Sequence, residues 1–169
     1  MVKGPVMAGK NHSKVEKTNA VRALEAAGID FSMLTFETDV AKSGLEVARI
    51  LGQDPDQVFK TLVTQGKSGS HYVFMVPVEA SLDLRKAAAA VGEKNVEMIA
   101  SRGLLPLTGY VHGGCSPLGM KKQFPTVIDE TAQLFDRIMC SGGRIGFQIC
   151  IAPDDLQRMV GASFADITQ

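Results

Sequence analysis

Two apolar segments joined by a short turn are the feature that most constrains the fold of this chain. Residues 58–65 and 71–76 are rich in β-branched and aromatic side chains, and Gly66-Lys67-Ser68-Gly69-Ser70 separates them. This pattern is typical of a β-hairpin. Strands joined by tight turns pair antiparallel, so the hairpin indicates a fold built on a sheet.

The remaining segments predict more strands than helices. Further strands are predicted at 31–37, 96–99, 124–129, 134–141, 145–151 and 164–167. Helices are predicted at 20–28, 43–52, 84–91, 101–107 and 153–160, with N-caps at Thr18 or Asn19, Ser43 and Asp83. Since the strands do not alternate with helices, we expect an α+β fold: a mixed, mainly antiparallel curved sheet or barrel with peripheral helices.

Length and charge limit the classes of function. A chain of 169 residues suits one domain, and we expect a flexible N-terminal tail over 1–14 before a single domain at 15–169. The formal net charge is zero, so any contact with RNA depends on a local patch such as Lys121 and Lys122. Without an apolar run of about 20 residues, no membrane helix is expected. An odd number of cysteines predicts reduced thiols and a cytoplasmic protein.

The segment from Thr108 to Lys122 is the strongest candidate for a ligand-binding loop. Its glycines allow close approach of the backbone and expose N–H groups that bind anions, although an ordered structural loop explains the glycines equally well. Within it, His112 is either a proton carrier or a surface histidine. Cys115 lies near two lysines that could lower its pKa, so a nucleophilic role is a further hypothesis.

Lys60 is unusual because it interrupts an apolar strand. Alternation places Val58, Lys60 and Leu62 on one face of that strand and the intervening residues on the other. A lysine among such positions either extends from a strand edge into solvent or projects into a cleft. In a cleft, it is a cationic donor on a rigid element, suited to an ester carbonyl or a phosphate.

Metal and cofactor sites are not predicted. The three histidines lack ligand spacing to one another or to the cysteines. The near-phosphate loop at 4–11 ends in Asn11, where a magnesium-binding hydroxyl is needed, and Gly142 to Gly146 connects two strands instead of a strand and a helix. We therefore expect no cofactor.

Several separate blocks, in order, resemble the YbaK/EbsC family, which belongs to the aminoacyl-tRNA editing superfamily with the inserted editing domain of bacterial prolyl-tRNA synthetase. The resemblance runs from about Thr18 to Ile167. The blocks are 17–20, 58–62, 82–84, 96–98, 108–110, 113–114, 116–119, 121–122 and 141–146. Among its branches, the cysteinyl-tRNA(Pro) deacylases look most similar.

The resemblance implies hydrolysis of the ester that joins a wrong amino acid to the 3′ end of tRNA. The essential lysine of the family matches Lys60. The glycine-rich substrate loop matches Tyr110 to Gly119, including Gly113, Gly114 and Ser116. A second pocket loop matches Ser141, Gly142 and Gly143. Phe36 occupies a substrate-facing strand position where the family often has tyrosine.

These matches give a mechanistic hypothesis. Lys60 is expected to bind the terminal ribose or phosphate, or to polarise the ester carbonyl, while N–H groups around Gly113 and Gly114 stabilise the oxyanion. Tyr110 and Ser116 would orient the aminoacyl group and the terminal adenosine. The family suggests that a cysteine substrate attacks its own ester through its thiol, with the enzyme holding the reactive conformer.

Alternative functions remain open at this point. The chain could deacylate another mischarged tRNA, such as alanyl-tRNA(Pro), or could be a non-catalytic module that binds tRNA or a synthetase. A thiol enzyme that uses Cys115 is a third alternative. The expected partners are the 3′ end of aminoacyl-tRNA and prolyl-tRNA synthetase, with no membrane partner.

Overall fold

The computed structural model describes residues 6–8, 17–38 and 40–169. Most of the predicted tail therefore lies outside the described residues, while Val6–Ala8 forms a strand, β1. Within the described residues, no helix is both long and apolar enough to span a bilayer.

Helices and strands occur in nearly the predicted order. The helices are α1 (Asn19–Ala26), α2 (Gly44–Ile50), α3 (Leu84–Val91), α4 (Leu104–Thr108) and α5 (Pro153–Val160). The strands after β1 are β2 (Phe31–Thr35), β3 (Phe59–Gly66), β4 (His71–Pro77), β5 (Val96–Met98), β6 (Thr126–Asp129), β7 (Ile138–Ser141), β8 (Phe147–Ile151) and β9 (Ser163–Ala165).

The predicted helix starts are confirmed by side-chain caps. Thr18 Oγ1 accepts a hydrogen bond from the Val21 N–H at 3.2 Å and caps α1. Ser43 and Glu46 form both hydrogen bonds of a capping box at the start of α2. Asp83 accepts from two N–H groups in the first turn of α3. Each cap satisfies donors that a helix leaves unpaired at its N-terminus.

The strands form two sheets. One has the order β1-β2-β8-β7 and is antiparallel throughout. The other has the order β5-β3-β4-β6-β9, in which β6 runs parallel to β4 and to β9. The mixed, mainly antiparallel α+β fold is therefore confirmed, but these strands do not close into a barrel.

Two details of the predicted strand order are wrong. The consecutive strands β6 and β7 do not pair, because they belong to different sheets. The strand predicted over 134–141 begins only at Ile138, since Asp129 accepts hydrogen bonds from the Thr131 N–H and hydroxyl and starts a 3₁₀ turn over Glu130–Leu134. This turn carries the chain from one sheet to the other.

A parallel bridge between Val58 and Met139 links the two sheets where β3 and β7 begin to run side by side. Fully buried side chains from both sheets and from two helices pack together in the largest core cluster. They include Ala20, Leu24, Phe59, Met75, Ile128, Ile149, Ile151 and Leu156. The two sheets therefore share one core.

The glycine-rich segment after α4 packs on the first turn of α1. At Gly119, φ is +70°, and an added Cβ would lie 2.6 Å from the carbonyl carbon of Asn19. At Gly28, just after α1, φ is +67°, but nothing lies within 4 Å of such a Cβ. Both glycines therefore have a left-handed backbone, but a side chain would clash with neighbouring atoms only at Gly119.

Substituting each of these glycines by alanine separates backbone strain from steric exclusion. We expect Gly28→Ala to lower the free energy of unfolding by about 1 kcal/mol, the cost of a left-handed residue. Gly119→Ala adds displacement of the loop from α1, and we expect a loss about 1–3 kcal/mol larger. Urea unfolding measures both changes. Equal losses would show that the loop does not depend on this close contact.

Candidate active site

A cavity of about 630 Å³ lies next to the bridge between the starts of β3 and β7. This volume is in the range of small-molecule sites, which occupy about 300–1,000 Å³. Its wall comes from β3, the ends of β7 and β8, the start of α2 and the glycine-rich segment. The lining includes Phe36, Lys42, Lys60, Thr61, His112, Gly113, Cys115, Cys140, Ser141 and Gln148.

Strand register places three of the polar side chains on one face. Paired residues on neighbouring strands project to the same side of a sheet, as Val58 and Met139 do. Two residues further along, Lys60 and Ser141 project to that side, and Gln148 is the partner of Ser141 on β8. The first turn of α2 covers this face and contributes Gly44 to the wall.

Of the two positions that the sequence allowed for Lys60, the structure shows the second: its side chain lines the cavity. It is partly buried, and its ammonium makes no hydrogen bond or ion pair with any described residue. Removal from water lowers the pKa of Lys60 below its ordinary value, because burial disfavours the charged form. The cavity therefore holds a cationic donor that is available to a ligand.

The edge of β3 is open inside the cavity. The Gly66 N–H donates to Ser70 O at 2.8 Å, and the Val78 N–H donates to Val58 O at 2.9 Å. Both bonds involve even-numbered residues, Gly66 in β3 and Val58 directly before it. Because hydrogen-bonded pairs alternate in an antiparallel ladder, the backbone N–H and C=O groups of the even-numbered residues of β3 point towards β4. The backbone groups of the odd-numbered residues point towards the opposite edge of β3, where the Ile99 N–H donates a hydrogen bond to Val63 O. Between β5 and β7, no described strand pairs with this edge at Thr61.

The glycine-rich segment contributes Gly113 to the wall. Its φ of +86° suits only glycine, and its N–H makes no hydrogen bond to the described residues. The Gly114 N–H, by contrast, donates to Val111 O at 3.0 Å. Of the two expected oxyanion donors, only Gly113 thus keeps an available N–H.

Tyr110 and Ser116 lie behind the wall instead of in it. The Tyr110 hydroxyl donates to Leu118 O at 2.5 Å, and Ser116 Oγ accepts from the Leu118 N–H at 3.2 Å. Burial raises the pKa of Tyr110 to about 12. Both hydroxyls form hydrogen bonds within the glycine-rich segment and stabilise its conformation. Neither Tyr110 nor Ser116 lines the cavity, whereas Lys60 does.

In the second predicted pocket loop, Ser141 to Gly143, only one of the three residues lines the cavity. Ser141 lines the cavity. The Gly142 N–H donates to Phe147 O, and the Gly143 N–H donates to Ser141 Oγ at 3.2 Å. An added Cβ at Gly143 would lie 3.0 Å from Cε1 of Tyr110. These two glycines allow the loops to pack against each other and do not line the cavity.

Cys115 lines the cavity, but its thiol is not activated. Burial raises the pKa of Cys115 to about 12, so the expectation that nearby lysines lower it is wrong. Cys140, also in the wall, is fully buried, and burial raises the pKa of Cys140 to about 12 as well. Phe36 lines the cavity as a buried apolar ring, and His112 lies exposed at its edge.

The wall also contains polar residues that were not predicted as site residues, among them Lys42, Thr61 and Gln148. Lys42 precedes α2, Thr61 follows Lys60, and Gln148 lies on β8. Gln148 has the same sequence signal as Lys60, since it is the one strongly polar residue within Phe147–Ile151. The same test, applied to β8, would have found it.

Charge in the cavity wall has one sign. Lys42 and Lys60 line it, and no Asp or Glu among the described residues does. The Lys42 ammonium lies 3.9 Å from Glu46 Oε2, so Lys60 carries the positive charge of the wall that no described carboxylate offsets. Within residues 6–8, 17–38 and 40–169, no cluster of three His, Cys, Asp or Glu side chains has the arrangement of a metal site.

Known proteins resemble this chain in sequence or in structure. The chain is 42% identical over 154 residues to EbsC of Enterococcus faecalis, a candidate Cys-tRNA(Pro)/Cys-tRNA(Cys) deacylase, covering 90% of this chain and 94% of that one. It is 26% identical over 121 residues to the proline–tRNA ligase of Trichlorobacter lovleyi, covering 72% of this chain and 21% of the ligase. A crystal structure of a candidate trans-editing enzyme for prolyl-tRNA synthetase superposes with a TM-score of 0.80 at 27% identity, covering 92% of this chain and 99% of that one.

The family model for the aminoacyl-tRNA editing domain matches residues 38–159, which contain nearly the whole cavity wall. With most of its length matched by this model and by EbsC, the chain belongs to the aminoacyl-tRNA editing domain family.

Proposed function

We propose that the chain is a trans-editing deacylase that hydrolyses cysteine from mischarged tRNA(Pro). The observation that carries this proposal is the partly buried ammonium of Lys60, which has no partner among the described residues, in a cavity whose described wall has no carboxylate. An ester carbonyl and the phosphates of a tRNA end both present oxygens to such a group. The likeness to EbsC supports cysteine as the amino acid.

In the proposed complex, Lys60 donates to the carbonyl oxygen of the ester. The free N–H of Gly113 adds a second donor as negative charge develops on that oxygen. Phe36 supplies apolar contact for the aminoacyl group. Tyr110, Ser116, Gly114, Gly142 and Gly143 contribute indirectly, by fixing the loops from which Gly113 and Ser141 face the cavity.

The nucleophile in this proposal is the thiol of the substrate. Neither wall cysteine supports the role, since the pKa of each thiol is about 12. The substrate Sγ forms a bond to the carbonyl carbon, the bond from that carbon to the ribose oxygen breaks, and the thiol proton passes to the ribose oxygen. Water then opens the resulting thiolactone to cysteine. The cavity acts by holding the ester in the attacking conformation.

We further propose that tRNA reaches the site with help from prolyl-tRNA synthetase. The chain has no net charge to attract tRNA over its whole surface, and the likeness to a proline–tRNA ligase supports this partner. A cytoplasmic location is proposed on the same basis, since tRNA is charged there and the three free thiols remain reduced.

Lys60→Met removes the ammonium and keeps an apolar stem. We expect kcat/KM for cysteinyl-tRNA(Pro) to fall about 100-fold, because the transition-state charge loses its main donor. Lys60→Arg, which keeps a positive charge, retains more of the activity. Tests with cysteinyl, alanyl and prolyl esters of tRNA(Pro) measure the rate and the selectivity. Equal rates for cysteinyl and alanyl esters would reject the substrate thiol, and full activity of Lys60→Met would reject Lys60.

The same substitution has a distinct effect on stability. Because burial lowers the pKa of Lys60, the charged lysine costs stability at neutral pH. We expect Lys60→Met to unfold at a higher temperature than wild type at pH 7. The difference shrinks as pH rises through the lowered pKa towards 10.5, the ordinary value of lysine. A pH-independent difference in the melting temperature would contradict this account.

Cys115→Ala tests the alternative of a thiol enzyme. A thiol pKa of about 12 leaves on the order of one thiol in 10⁵ ionised at pH 7. We therefore expect Cys115→Ala to deacylate cysteinyl-tRNA(Pro) near the wild-type rate. Its folding is checked by circular dichroism. Loss of activity in a folded Cys115→Ala protein, with activity kept by Lys60→Met, would favour the thiol enzyme.

A further inference from the structure

A buried amide oxygen in the cavity wall has no hydrogen-bond partner. Gln148 is only 4% exposed, and its Oε1 makes no hydrogen bond to any described residue. Leaving such an acceptor unpaired costs about 1–3 kcal/mol. An apolar residue at this strand position would avoid that cost, so the amide is a candidate for use by a ligand.

A second unpaired acceptor lies in the same wall. Thr61 Oγ1 is buried and has no partner among the described residues. Its backbone lies at the open edge of β3, between the segments paired with β5 and β7. Gln148 projects from the same face as Lys60, whereas the Thr61 side chain projects from the opposite face of β3. Gln148 Oε1 is therefore the unpaired acceptor that shares a face with the Lys60 ammonium.

This acceptor requires a ligand group that donates hydrogen bonds. In an aminoacyl ester, the carbonyl and the phosphates are acceptors and suit Lys60. The cysteine thiol is a weak donor, whereas the α-amino group offers two or three N–H donors on the carbon next to the ester. No described carboxylate lines the wall to hold that amine by an ion pair, so neutral oxygens are the available partners.

We propose that Gln148 Oε1 accepts hydrogen bonds from the free α-amino group of the aminoacyl ester. This rests on the proposed deacylase function and adds a specificity-determining residue to it. The terminal torsion of a glutamine is soft, so the buried amide reaches the ligand by rotation about this torsion. The site thereby selects esters with an unblocked amine and disfavours those in which the amine is absent or acylated.

The experiment compares two esters that differ only in the amine. One is cysteinyl-tRNA(Pro), and the other is the same tRNA esterified with 3-sulfanylpropanoate, which keeps the thiol. The variants are Gln148→Leu, which removes the acceptor, and Gln148→Glu, which keeps one. Gln53→Leu is the matched control, because Gln53 Oε1 is also buried and unpaired among the described residues but does not line the cavity.

Wild type should prefer the amine-bearing ester about 10- to 100-fold in kcat/KM, the range for a hydrogen bond to a charged group. Gln148→Leu should lose this preference by slowing only the cysteinyl ester, whereas Gln53→Leu and Gln148→Glu keep it. Gln148→Leu should also unfold at or above the wild-type temperature, because it removes an unsatisfied polar group. Equal slowing of both esters, or an unchanged preference, would overturn the proposal.

A binding measurement separates this proposal from the proposed catalysis. The probes are 3′-deoxyadenosine carrying cysteine, or its desamino analogue, through a stable 3′-amide bond. Calorimetry should show tighter binding of the amine-bearing probe to wild type and no such preference in Gln148→Leu. If cysteinyl-tRNA(Pro) is hydrolysed but the probes bind equally, the role of Gln148 is rejected and the deacylase stands. If the preference is present without hydrolysis, the deacylase fails and the amine site stands.

Discussion

The contact between β3 and β7 at Val58 and Met139 is the constraint on which the site depends. It is a backbone bridge between the two sheets, and it sets the faces on which Lys60, Ser141 and Gln148 project. A slip of one residue would turn each of these side chains to the opposite face. The buried cluster of Ala48, Val58 and Met139 under α2 holds this register. Fold and chemistry are therefore coupled through one short segment.

Much of the fold could be predicted because its determinants are local. The caps at Thr18, Ser43 and Asp83 and the hairpin of β3 and β4 depend on residues close together in the sequence. The parallel pairing of β6 with β4 and β9 could not be found in this way. It depends on contacts across more than 30 residues, which no local pattern specifies.

The clearest sequence signal for the site is a polar residue within a mainly apolar strand. Lys60 on β3 and Gln148 on β8 both give this signal, and both line the cavity. The glycines were harder to interpret, because glycine permits close packing as well as ligand binding. Gly114 lies against the backbone of residues 144 and 145, and Gly143 lies against Tyr110. Only burial and hydrogen bonding distinguish these from Gly113, which keeps its N–H available.

The open edge of β3 has a consequence for the behaviour of the protein in concentrated solution. Unpaired strand edges on a protein surface recruit other chains and promote aggregation. Here the open stretch at Thr61 is short, lies within a cavity and is flanked by β5 on one side and β7 on the other. A foreign strand has no room to align there. The backbone groups remain available to a small ligand without becoming a template for self-association.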